Sequence, residues 1–144
     1  MNFQEKVQSM TAKQIILSMV EGLKKQHVII DMETYGRVHK NVCYGCAATN
    51  TICEISGITP KASWRNRLFC DKFAYLTKCE NHFIRLFEQA IDALRSGNIS
   101  EYNQHAECGR FAPIERKGLE LPELWTDDYR SLLHYYERLA EAQD

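Results

Sequence analysis

The sequence predicts a mainly α-helical fold, one compact multi-helix domain over residues 1–144 with about five to six helices, and three observations lead there. Apolar residues recur at three- and four-residue spacing in several long stretches. The β-branched run Val28-Ile29-Ile30 is too short and too isolated to announce a sheet, and reads as one short extended segment. Apolar residues make up 44% and charged residues 26%, the balance of a chain that buries a core without a partner.

The elements follow in order. Thr11 is a natural N-cap, and Ile15, Ile16, Met19, Val20 and Leu23 then form one stripe, with Lys24 and Lys25 placed against the negative end of the dipole; this predicts a helix over 11–26. After the extended piece, Asp31 to Gly36 reads as a turn. Val42 to Ile55 carries Gly45, Ala48, Ile52 and Ile55 on one stripe and Cys46 and Cys53 on another, which predicts a helix buried around most of its circumference and ended by Gly57 and Pro60. The Pro60–Tyr75 region, with Trp64, Leu68, Phe69 and Phe73 among four cations, suits one or two short helices.

Phe83, Leu86, Phe87, Ala90, Ile91 and Leu94 hold the clearest helical period, closed by Ser96-Gly97-Asn98 with Gly97 as the C-terminal cap. Ser100 is expected to cap a short helix to about Glu107. Gly109, Pro113, Gly118 and Pro122 then break the chain into a long loop before the C-terminal helix, which Thr126, Asp127 and Asp128 open and whose stripe is Tyr129, Leu132, Leu133, Tyr136, Leu139 and Ala140. Trp125 precedes that cap as a staple.

Eighteen basic against nineteen acidic residues give a net charge of −1, so no global field favours a polyanion. The charge is unevenly spread: ten basic and six acidic residues up to position 72 give +4, and eight and thirteen beyond it give −5. The N-terminus, Met1-Asn2-Phe3-Gln4-Glu5-Lys6, runs into a polar amphipathic segment with no uninterrupted apolar stretch, so neither an export signal nor a membrane span is expected, and the chain is read as cytoplasmic. Six cysteines are then expected as reduced thiols.

The sharpest local feature is Cys43-Tyr44-Gly45-Cys46. At a helix start the dipole would stabilise a thiolate, so Cys43 and Cys46 are the redox candidates, although no βαβ unit precedes them. Zinc would need a second half-site, for which Cys79 and His82 are the candidates beside Cys43 and Cys46. The simpler reading is that most of the sulfur packs as small apolar side chains, with no metal or other cofactor. Trp64 with Lys61, Arg65 and Arg67 would suit single-strand nucleic-acid binding, but equally an ordinary solvated helix face over a core aromatic; without a net positive charge nucleic acid is the less expected partner.

No G-x-S-x-G, P-loop, G-x-G-x-x-G, H-E-x-x-H or EF-hand pattern is present, so an enzyme has no motif behind it. The expectation is a small helical binding or regulatory protein whose partner is another protein, met through an acidic face of Glu115, Glu120, Glu123, Asp127 and Asp128 around Trp125 as aromatic anchor. The thiol-dependent or zinc-stabilised protein centred on Cys43 and Cys46 is the alternative.

Overall fold

A computed structural model describes residues 1–64, 69–121 and 129–144. Among them are seven α-helices, α1 (Phe3–Ser9), α2 (Ala12–Lys25), α3 (Ala47–Ser56), α4 (Phe69–Thr77), α5 (Asn81–Arg95), α6 (Ile99–Gly109) and α7 (Tyr129–Ala142). Three short strands, β1 (Ile29–Ile30), β2 (Arg37–His39) and β3 (Val42–Gly45), form a sheet in the order β1-β3-β2. The fold is mainly helical, as the sequence predicts, with one helix and two strands more than expected.

The additional helix is α1. The Asn2 side chain accepts from the Glu5 N–H at 2.9 Å, and the Glu5 carboxylate in turn accepts from the Asn2 N–H, a reciprocal cap that satisfies two donors a helix start would otherwise leave bare. Phe3 and Val7, one turn apart, are the buried face. The same device, Thr11 with Gln14, starts α2 within one residue of the expected position. Gly22 lies on the buried side of α2, where a Cβ would come within 2.7 Å of the Asn50 carbonyl, so the absence of a side chain is what lets α2 and α3 approach so closely.

The helix expected over Val42–Ile55 is corrected. Its first four residues are strand β3, antiparallel to β2 and parallel to β1, and α3 starts only at Ala47 with Cys46 as N-cap. Lys40 and Asn41 join β2 to β3 with φ of 49° and 61°, the left-handed pair of a two-residue hairpin, and Asn is among the residues that tolerate it. Cross-strand hydrogen bonds outweigh whatever helical tendency residues 42–45 have alone. From Ala47 onward the expected burial is found: all of Ala47–Cys53 and Ile55 are inaccessible, because α3 packs against α2 on one side and α5 on the other. Buried Asn50 ties the sheet to this helix, its Oδ1 accepting from the Val28 N–H at 3.2 Å while its Nδ2 donates to the Cys46 carbonyl.

Helix α5 ends as predicted. Gly97 adopts φ 78°, its N–H donates to Leu94 and the Asn98 N–H reaches Ala93 at 2.9 Å, closing the last turn. The expected Ser100 cap is replaced by Asn98, whose side chain accepts from the Glu101 N–H at 3.0 Å, so α6 begins at Ile99 with Ser100 inside its first turn.

The long loop after α6 is held tightly in its first part. Tyr102 donates to the Ala112 carbonyl, Asn103 makes a two-way pair with the Ile114 backbone, and Gln143, just past the end of α7, does the same with Glu115. Phe111 and Ile114 enter the core. Phe111 meets Phe83, Phe87 and Tyr102 edge-to-face, and Phe3 meets Phe83 and Phe87, joining α1, α5, α6 and the loop through one aromatic cluster. Each such buried ring contributes roughly 1.5–3 kcal/mol of burial, with the edge-to-face geometry adding to it. The predicted opening of the last helix at Thr126 lies outside the described residues.

Candidate functional site

The two candidate redox cysteines do not share a helix start. Cys43 is half-buried on β3, and Cys46 is buried at the N-cap of α3, its Sγ 3.8 Å from the Thr49 hydroxyl. Burial pushes both thiols up, away from the thiolate that redox exchange needs, and it raises Cys53 to about 12. Cys79 stands between α4 and α5 against the Glu80 carbonyl, and exposed His82 faces the Glu80 carboxylate at 3.5 Å. Among the described residues no three His, Cys, Asp or Glu side chains stand together as metal ligands would. All six cysteines are free.

Trp64 is 5% exposed and packs edge-to-face on Phe69 and Phe73, so its ring faces are committed to the core rather than offered to a base. Arg65 and Arg67 lie outside the described residues. Of the expected acidic face, Glu115 and Glu120 are exposed, Glu115 paired with Lys117 at 2.9 Å; Glu123, Trp125, Asp127 and Asp128 lie outside the described residues.

The helical period hid one unusual group. Glu88 occupies the buried stripe of α5, one turn from Ile84 and Ile91, and is 2% exposed. Its Oε1 has no hydrogen-bond partner among the described residues. Desolvation drives its pKa up to about 8, eased by the cation of Arg85 and aggravated by Asp71. Around it, burial raises the thiols of Cys46 and Cys70 and the Tyr35 hydroxyl, with Glu88 a lesser contributor to each, and the turn carrying Tyr35 is fastened where Thr49 donates to the Tyr35 carbonyl. Glu88 is thus a neutral acid in the interior at neutral pH, and it lines neither of the two surface clefts.

Two clefts open on the surface of the described residues, and they adjoin. One, of about 470 Å3, lies between the start of α1 and the ends of α3 and α4, walled by Met1, Phe3, Ile58 and Leu76. The other, of about 520 Å3, runs between α1, α2 and the end of α3, with Met10, Leu17 and Ile55 as its apolar part. Lys6 borders both; its ammonium donates to the Ile55 carbonyl at 2.6 Å and so also caps the end of α3. Leu76 is 44% exposed, Leu17 38%, and Tyr75, the residue before Leu76, 78%. On the rim of the second cleft Glu54 is gripped by Lys25 at 2.8 Å and His27 at 2.7 Å, which holds its carboxyl below the usual range.

Fold and surface together define a mainly helical domain with a two-cleft, partly apolar face. No family model, curated relative or solved structure matches the chain.

Proposed function

We propose that the chain is a small binding protein that acts on another protein through the face made by α1, α2 and the ends of α3 and α4. The observation that carries this reading is the pair of adjoining clefts around Lys6, each walled by apolar side chains and rimmed by polar ones, the composition that protein interfaces share. Exposed Leu17 and Leu76, one in each cleft, supply apolar anchors that folding alone leaves unused. Six unpaired thiols suit a reducing compartment, and among the described residues no helix is long and apolar enough to cross a membrane, so the partner is sought in the cytoplasm.

The test is affinity capture from native cells on immobilised chain, with Leu17→Asp and Leu76→Asp variants alongside and helicity checked by circular dichroism. A protein retained by the parent chain and lost from both folded variants supports the reading. If every retained protein is held equally by the variants, this face is not the binding surface.

A further inference from the structure

The two clefts differ in charge. The larger one has two carboxylates on its rim, Glu21 and Glu54. The smaller one has none: its charged liners are Lys6 and Lys78. Resting on the function proposed above, we infer that the smaller cleft receives an acidic protein segment that seats an apolar side chain between Phe3, Ile58 and Leu76 and sets a carboxylate against Lys6 and Lys78.

Among the described residues no carboxylate pairs with either ammonium. Lys78 makes no ion pair among the described residues, and its exposed side chain leaves α4 at a left-handed turn of φ 55°. The turn is fixed from both sides, since the Cys79 N–H donates to Ala74 while the Asn2 amide reaches the Lys78 carbonyl at 3.4 Å. Lys6 spends one of its three N–H groups on Ile55, which leaves two for a ligand. Helices α3 and α4 both end at this cleft, and their carbonyl ends would repel an anion if bare. Part of each end is covered: Gly57 donates to Cys53 and Lys6 to Ile55 at α3, and Cys79 donates to Ala74 and Lys78 to Tyr75 at α4. Nearby Glu5 is turned back on the Asn2 N–H, and Glu80 faces His82. A carboxylate entering the cleft therefore meets two ammonium groups, a charge pairing that raises association rate and selects against basic partners.

The inference is tested with a random twelve-residue peptide library displayed on phage and panned on the full chain at low salt, with the Leu76→Asp variant used for subtraction. Peptides that depend on Leu76 are expected to pair Asp or Glu with Leu, Ile or Phe. The affinity of a labelled member should fall about tenfold in Lys78→Glu, be kept in Lys78→Arg, and weaken several-fold as salt rises from about 50 to 300 mM. Leu76-dependent peptides that are neutral or basic, or indifferent to Lys78→Glu, overturn the acidic segment while leaving the binding face standing. An absence of any Leu76-dependent peptide overturns the face itself. Leu76-dependent binding to phosphatidylserine vesicles, with no acidic peptide enriched, replaces the protein segment by an anionic membrane and likewise overturns the inference.

Discussion

The Lys6 ammonium lies 2.6 Å from the Ile55 carbonyl, so a residue of the first helix caps the third across forty-nine positions of sequence. Helix α3 has no basic residue in its own last turn, and the cation is borrowed from α1. This contact ties α1 to the end of α3 at the point where the two clefts adjoin.

Replacing that cation by a side chain of similar length and no charge should therefore loosen α1. Lys6→Met is expected to cost about 1 kcal/mol, the loss of one charge-assisted hydrogen bond at a partly exposed site. Urea denaturation followed by circular dichroism should show a lower midpoint with an unchanged slope; an unchanged midpoint would mean that the contact adds nothing to stability.

Glu88 should make stability depend on pH in the unusual direction. Its folded-state pKa, near 8, lies above the ordinary carboxyl value, so between about pH 4.5 and 8 the native chain holds a proton that the unfolded chain has lost. Stability from this group is thus fully present in mild acid and falls as pH rises, by about 1.4 kcal/mol per unit, levelling above pH 8. Glu88→Gln keeps the shape and removes the titration. Its stability relative to the parent should improve steadily between pH 5 and 8 in urea melts, and parallel profiles would show that the carboxyl is not held neutral.

The thiols should separate by burial. Cys108 is exposed, Cys43 and Cys79 are half-buried, and Cys46, Cys53 and Cys70 are buried. Titration with a chromogenic disulfide reagent should give one rapid equivalent, two slower ones, and three more only on denaturation. Rapid native reaction of Cys46 would restore the redox reading.

Much of the helical body was legible because burial imposes a period. Helices α2 and α5 are announced by stripes such as Ile15-Ile16-Met19-Val20-Leu23, each member of which is inaccessible in the fold. Helix α1 was missed although Asn2-x-x-Glu5 spells its cap, since seven residues with two buried side chains give too short a stripe to stand out. The strand before α3 was missed for another reason: Lys40-Asn41 is a weaker hairpin signal than Asn-Gly, and pairing with Ile29–Ile30 is a long-range event that local period does not report. Glu88 did leave a trace, a charged letter four places after Ile84 and three before Ile91 on a stripe otherwise apolar. The clefts left none, because Met1, Phe3, Ile58 and Leu76 come together only when α1 lies across the ends of α3 and α4.

The claim that a partner protein docks on this face is tested most directly by photo-crosslinking inside the native cell. Benzoylphenylalanine placed at position 76, and separately at position 17, should give a discrete adduct of the same mass increment on irradiation, while placement at exposed Gln89 on α5 should give none. An adduct formed equally from position 89, or none from positions 17 and 76 with the chain folded, would contradict the account.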